Sequence, residues 1–300
     1  MWLFLAACAT QIPPGVTLPQ APISDAAQVR FIAFGDQGTG SDTQLKVAQA
    51  MGQVCETRGC DFGLVLGDSL YPDGLTSADD ARMNDAFIKP YAPLNIPFYA
   101  ALGNHDYNNG RDEATAQYLL SWAANHEIMT LPAKTYSFSA GPATFTALDT
   151  TWIFWHGARG QQDWLDETLR TAQGWKVVFG HHPVFSNGQH GNAGEYEGLP
   201  FVPWSSGMAL DRFFKQSVCG TADLYLSGHE HNLQWISACG TELIVSGAGA
   251  KVTPIVDRGN KPNFSAAQPG FVWVSLNSET MHIAFYDESG TLLHQGSRSK

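Results

Sequence analysis

Five times along this 300-residue chain, a short apolar run breaks off at glycine and is followed at once by side chains able to hold a metal ion. "VRFIAF" leaves as Gly35-Asp36-Gln37-Gly38, and "FGLVL" as Gly67-Asp68-Ser69-Leu70-Tyr71. "PFYAAL" leaves as Gly103-Asn104-His105-Asp106, "WKVVF" as Gly180-His181-His182-Pro183, and "ADLYL" through Ser227 as Gly228-His229-Glu230-His231. Each run reads as a buried strand, and stretches with helical spacing alternate with them: "TQLKVAQAMGQVCE", "DDARMNDAFIKPY", "DEATAQYLLSWAANHE", "QQDWLDETLRTA" and "SGMALDRFFKQSV". In sheets built from β-α units the C-terminal strand ends converge on one crevice where ligands bind. Glycine at the exit lets the backbone turn sharply and approach a ligand closely.

Taken singly, each exit has an ordinary explanation. Gly-Asp after a strand is usually a turn, a lone histidine is usually a satisfied surface or core residue, and "GHEH" alone is compatible with a mononuclear site or chance. The conjunction is different. Asp, Asp, Tyr, Asn and several His pool into an oxygen and nitrogen cluster without thiolate, a set suited to iron, zinc or manganese rather than calcium, with groups enough for two ions.

Downstream of the third exit, "KTYSFSA" and "ATFTALD" flank a Gly-Pro turn and predict a hairpin. The C-terminal stretches "LQWISA", "TELIVSG", "GFVWVSL", "TMHIAFYD" and "TLLHQG" predict strands separated by glycine turns. No internal repeat or low-complexity block interrupts them, so strand-helix alternation closing into sheets makes one large domain. Residues 186–206 form a long irregular stretch, and such loops in compact domains tend to be functional.

Residues 9–28 carry four prolines and read as a linker. Before them, Leu5-Ala6-Ala7-Cys8 resembles a bacterial lipobox, which makes Cys8 a candidate lipid anchor and the chain an exported, periplasmic or outer-membrane-anchored lipoprotein. No basic residue precedes Cys8, so a frayed apolar terminus is the alternative. No apolar run is long enough to predict a membrane-spanning helix. Cys55, Cys60, Cys219 and Cys239 remain. In an exported protein they suggest two disulfides with three connectivities open, local pairing being the simplest; four reduced thiols are the alternative. The net charge of −11 argues against nucleic acid as a general partner, and requires any attraction for a phosphate substrate to be local.

The series of exits resembles the calcineurin-like metallophosphoesterase superfamily, whose motifs are D-x-H or D-x-G, GDxx, GNH[DE], a later GH, and GHxH. All five stand here between Asp36 and His231, and flanking strands extend the likeness over about residues 29–290. Within the superfamily the chain is similar to small single-domain purple acid phosphatases. Gly38 occupies the position where most members carry a histidine, and Tyr71 replaces that ligand with a phenol oxygen, a hard donor that favours Fe(III). The resemblance implies an α/β fold, a four-layer α/β/β/α sandwich of two mixed β-sheets flanked by helices, formed by residues 29–300 after the signal remnant and linker of 1–28. It also implies hydrolysis of small phosphate monoesters by metal-bound hydroxide at a dinuclear centre of Fe(III) and a divalent Fe, Zn or Mn.

Residue by residue, the resemblance implies that Asp36, Tyr71 and His231 hold Fe(III), that Asp68 bridges, and that Asn104, His181 and His229 hold the divalent ion. It makes His105 the general acid or transition-state stabiliser, with Asp106 orienting its ring, and His190 and His182 candidate substrate contacts. Ser69 departs from the asparagine common at its place. Oligomeric state is left open. Two other functions are compatible: a phosphodiesterase or nucleotidase on the same scaffold, and a non-catalytic metal-binding surface lipoprotein.

Overall fold

The computed structural model describes residues 15–110, 112–196 and 206–300. Cys8, the candidate lipid anchor, and part of the 186–206 loop therefore lie outside the described residues. Two sheets dominate, their strands numbered in chain order. The first runs in spatial order β15 (Leu292–Ser299), β14 (Thr280–Asp287), β13 (Gly270–Asn277), β2 (Gln28–Phe34), β3 (Phe62–Leu66), β4 (Phe98–Ala101) and β5 (Met129–Thr130). The second runs β1 (Val16–Thr17), β6 (Tyr136–Ala140), β7 (Ala143–Ala147), β8 (Trp175–Phe179), β9 (Leu224–Ser227), β11 (Thr241–Ser246), β10 (Leu233–Ala238) and β12 (Phe264–Ala266). Both are mixed: β2, β3 and β4 are mutually parallel, as are β7, β8, β9 and β11, antiparallel pairings extend each sheet, and the short edge strands β1 and β5 run parallel to β6 and β4.

Aromatic side chains from both sheets interlock between them. Phe31 and Phe62 of the first sheet meet Phe145 of the second edge-on, with ring centroids 5.3 and 5.2 Å apart, and Tyr99 stacks on Phe138 at 4.0 Å. Burial of each such side chain is worth about 1.5–3 kcal/mol, so this seam fixes how the sheets face one another. Strand alternation then decides what lies outside. Val177 and Phe179 of β8 face the seam, whereas Val178 joins Tyr225, Leu243 and Ile236 under α4 (Thr150–His156), α5 (Gln161–Thr171) and α6 (Met208–Phe213). On the other side, α1 (Asp42–Arg58) packs on β13 and β14, and α3 (Glu113–Ala124) on β5. The expected four layers are present.

The helix read over 79–91 is a π-helical turn, Asn84–Ile88, running into the single turn α2 (Lys89–Tyr91). Pro90 lacks an N–H to give the Ala86 carbonyl four residues earlier, and Gln44 Nε2, buried in α1, supplies that bond instead. The α4 segment had no sequence expectation; Asp149 caps it by accepting the Trp152 N–H at 2.9 Å, and Gly157 ends it. From Gly15 the proline-rich stretch lies along β6, with the Leu18 and Ala21 N–H groups donating to the Ser137 and Ser139 carbonyls at 2.8 Å. Cys55–Cys60 and Cys219–Cys239 are joined as disulfides, the local pairing.

Candidate metal centre

Parallel registers bring the five exits to one rim. Leu66 pairs with Ala101 and Phe34 with Val65, so the Asp36, Asp68 and Asn104 turns leave the first sheet in step. The β8 and β9 exits meet them from the second sheet. Three of the turning residues are non-glycine residues with left-handed backbone: Asp36 at φ 60°, Asp68 at 58° and His229 at 68°. That region is sparsely populated for side-chain-bearing residues and tends to collect at functional sites. Space is equally restricted. A Cβ on Gly67, itself at φ 91°, would stand 2.6 Å from His181 Nδ1, and one on Gly38 would stand 2.2 Å from the Ser69 carbonyl oxygen. No histidine fits at position 38 while the GDSLY turn keeps this path.

The seven donors form two touching groups. Tyr71 Oη lies 3.1 Å from Asp36 Oδ1, 2.9 Å from Asp68 Oδ2 and 3.3 Å from His231 Nε2, and His231 Nε2 is 3.4 Å from Asp36 Oδ1. Asn104 Oδ1 lies 2.8 Å from His181 Nε2 and 3.1 Å from His229 Nδ1. Asp68 connects the groups: Oδ2 faces Tyr71, while Oδ1 is 3.5 Å from His181 Nε2. Protein ligands bind ions such as zinc at roughly 2.0–2.2 Å, which sets neighbouring donors about 3 Å apart. The separations here therefore match a cation within each group. Second contacts aim the donors as metal sites require. His181 Nδ1 donates to the Leu66 carbonyl at 2.9 Å, freeing Nε2, and the His229 N–H donates to Asp36 Oδ2 at 2.8 Å across the two sheets.

Charge supports the same fit. Asp36 and Asp68 are almost wholly buried. Burial works to raise Asp36, but His231 and His181 hold it below the usual carboxylate range. Burial works to lower His181 and His231, yet the nearby carboxylates hold both above the ordinary imidazole value. Burial, then the Asp36 and Asp68 charges, push the Tyr71 phenol well above its ordinary value. Without a cation the phenol keeps its proton; an ion among these oxygens would reverse that preference. His229 is held far below its usual range by burial and the surrounding imidazoles, leaving a neutral nitrogen with a lone pair to give.

His105 stands at the mouth with a side-chain exposure of 24%. Its Nδ1 donates to the Pro72 carbonyl and its Nε2 lies 3.9 Å from Asp68 Oδ2. Asp106 does not orient that ring. Its Oδ2 accepts the Asp68 and Gly103 N–H groups at 3.0 and 2.8 Å, and its Oδ1 accepts that of Ser69 at 2.9 Å. The two residues share a 3₁₀ turn, His105–Tyr107, where successive side chains diverge by about 120°. Burial and the Asp68 charge push Asp106 up to about 7, against the pull of the Gly103 and Ser69 N–H groups.

His182 is buried, and the Thr150 hydroxyl governs it. Thr150 Oγ1 accepts the His181 and His182 N–H groups at 3.1 and 3.0 Å and lies 3.0 Å from His182 Nδ1. With its lone pairs taken, the hydroxyl gives its proton to Nδ1, so the imidazole proton resides on Nε2. The His190 ring stacks on His229 with centroids 4.3 Å apart, and the buried Glu230 carboxylate holds its loop by accepting the Gly191 N–H at 2.8 Å. His182, His190, Phe154, Trp155, Tyr196 and Asn109 wall a cavity of about 230 Å³ that ends on Asn104 and His229. A larger cavity of about 630 Å³, lined by Arg58, Trp273 and His282, contains none of this chemistry. Sequence reasoning passed over Thr150, Glu230 and Lys251, whose Nζ lies 3.1 Å from the Tyr71 ring centroid.

A family model for calcineurin-like phosphoesterase matches residues 29–233. The chain belongs to the calcineurin-like phosphoesterases, a family of hydrolases, and within them groups with the purple acid phosphatases. It is 30% identical to purple acid phosphatase 3 of Arabidopsis thaliana over 89% of this chain and 76% of the relative. It is 28% identical to tartrate-resistant acid phosphatase type 5 of Rattus norvegicus over 99% of this chain and 97% of the relative. Among solved structures, GAP50, the anchor in the inner membrane complex of Plasmodium, shares the fold with a TM-score of 0.73 at 20% identity, covering 91% of this chain and 89% of that one.

Proposed function

We propose that this chain hydrolyses phosphate monoesters at a dinuclear centre of one Fe(III) and one divalent ion, Fe, Zn or Mn. The observation that carries this reading is the pair of donor groups sharing Asp68, with the Tyr71 phenol among the oxygens of the first and no side chain at Gly38. Asp36, Tyr71 and His231 would hold Fe(III), Asp68 would serve both ions, and Asn104, His181 and His229 would hold the other. Bound there, two cations supply Lewis acidity, an acidified water and neutralisation of phosphoryl charge. They also provide the local field that an acidic chain needs to attract phosphate.

The chain's own groups do the rest. His105 keeps Nδ1 on the Pro72 carbonyl, so Nε2 is the atom free to carry a proton to the departing alkoxide. His182, with its proton on Nε2, and His190 line the cavity where the ester is received. Phe154, Trp155 and Tyr196 give that cavity apolar and aromatic walls beside the ester. Asp106 holds the backbone of two ligand turns in place. The disulfides suit an oxidising compartment, which supports export to the periplasm or the outer membrane.

The test compares turnover of a nitrophenyl monoester with its bis-ester by the iron-loaded protein in acid. Faster monoester hydrolysis is expected, and much faster diester cleavage would transfer the assignment to a phosphodiesterase. The oxidised protein should be violet through tyrosinate-to-Fe(III) charge transfer, with Tyr71→Phe removing the band. A colourless, iron-free, fully active protein would defeat the ferric assignment alone. Two bound metals with no phosphoester turnover would favour the non-catalytic alternative.

A further inference from the structure

The strand β11 also ends at the shared rim, parallel to β9, and also leaves through a glycine, Gly247. Residues 251–263, a little further on, adopt neither helix nor strand. They are nonetheless tied down at both ends. The Thr253 N–H donates to the His231 carbonyl at 2.8 Å, and the Asn263 N–H to that of Trp235 at 2.7 Å. Between these points the segment meets the loop that leaves β8 and carries His190. The Val256 N–H donates to the Asn187 carbonyl at 2.7 Å, and the Arg258 N–H to Asn187 Oδ1 at 3.3 Å. Arg258 Nε donates to the Gly188 carbonyl at 3.3 Å, and its Nη2 to the Gln189 carbonyl. Asn260 Nδ2 faces the Ser186 carbonyl, Asn187 Oδ1 and Asn192 Oδ1 at 3.1, 3.2 and 2.8 Å, and the Asn260 carbonyl accepts from Asn187 Nδ2 at 3.1 Å.

We propose that Arg258 and Asn260 are positioning residues that latch the 186–192 loop and so hold His190 at the wall of the cavity that receives the ester. The inference rests on the phosphoesterase reading above. Loop carbonyls outside a sheet ladder need donors, and a guanidinium spreads a planar fork of N–H groups over two of them. Gly188 and Gln189 immediately precede His190, so their carbonyls set the direction in which the chain enters it. Just past His190, Glu230 Oε1 accepts the Gly191 N–H at 2.8 Å. The histidine is therefore bracketed, by Arg258 before it and by Glu230 after it. Little slack remains. A Cβ on Gly188 would stand 2.1 Å from Glu230 Oε2, and one on Gly191, itself at φ 91°, 3.4 Å from the guanidinium carbon of Arg258. Held in this way, the His190 ring stacks on His229 with centroids 4.3 Å apart. Arg258 is not among the described residues that line the cavity, so its effect on the ester passes through His190. A contact made equally with the bound substrate and the transition state acts on KM and leaves kcat alone.

The test measures kcat and KM for a nitrophenyl monoester, and amide hydrogen exchange across residues 186–192, in the metal-loaded full chain. Arg258→Ala and Asn260→Leu should each raise KM about 10-fold with kcat nearly unchanged, and should speed exchange in the loop. His190→Ala should raise KM by itself, and adding Arg258→Ala to it should raise KM no further, because the latch then has no side chain to place. A double variant whose rise in KM is the product of the two single rises overturns the proposal. So do wild-type KM and exchange in both Arg258→Ala and Asn260→Leu while the wild type turns over the ester. A wild type that hydrolyses no phosphoester overturns the phosphoesterase reading and takes the role of His190 with it.

Discussion

Replacing Thr150 with valine keeps the shape of the side chain and deletes one hydroxyl. That hydroxyl accepts the His181 and His182 N–H groups at 3.1 and 3.0 Å and contacts His182 Nδ1 at 3.0 Å, all in a buried setting. Valine leaves two main-chain donors and a ring nitrogen facing a methyl group. Each buried group stranded in this way costs about 1–3 kcal/mol, so with partial relaxation the fold should lose about 2–5 kcal/mol. Thr150→Ser keeps the hydroxyl and gives up one methyl, about 1 kcal/mol. Urea unfolding of both variants and of wild type, metal-free, measures the difference directly. On the proposed reading His181 is also a donor to the second ion, whose affinity should then drop about 10- to 100-fold in the valine variant and hardly change in the serine one. Equal stability and equal metal affinity of the two variants would refute the claim that this hydroxyl sets the His181 turn.

Three other outcomes follow from the geometry. His105→Ala should lower kcat by about 10²- to 10⁴-fold with metal content retained, while Asp106→Asn should lower thermal stability and metal retention, since its carboxylate ties three backbone N–H groups; the reverse pattern would return Asp106 to a ring-orienting role. Gly38→Ala places a Cβ against the Ser69 carbonyl and should cost about 3 kcal/mol or more in denaturant unfolding, with wild-type stability as the disproof. Removing Cys219–Cys239, which closes the longer loop, should cost about 3 kcal/mol against about 2 for Cys55–Cys60, and calorimetry that finds the opposite order would contradict the loop-entropy account.

All seven donors gathered at the rim were legible because glycine exits and apolar runs are local signals, and parallel registers then align them. What stayed hidden was not local. The two-residue strands β1 and β5 carry no periodicity, and α4 is a seven-residue aromatic run that mimics a strand, although Asp149 and Gly157 mark its ends. The family resemblance suggested that Asp106 serves His105, but a 3₁₀ turn sends neighbouring side chains apart. Lys251 was discoverable as a sixth glycine exit, "TELIVSG", yet drew no notice because a lysine is not a metal ligand. Thr150 acts through backbone contacts to a distant strand exit, which no spacing rule encodes.

The candidate ligands come from both halves of the sandwich, Asp36, Asp68, Tyr71 and Asn104 from one sheet and His181, His229 and His231 from the other, and each donor group draws on both. A pair of ions held there would be a clasp as well as a reagent, closing the open end of two slabs that elsewhere cohere chiefly through oily rings and a few hydrogen bonds such as Tyr136 to Ala100 and Trp175 to Asn277. Chelation should therefore soften the molecule from the rim inward, with hydrogen exchange quickening first at the ligand turns and last along the aromatic seam, because whatever binds only the closed form adds its binding energy to the cohesion of the whole.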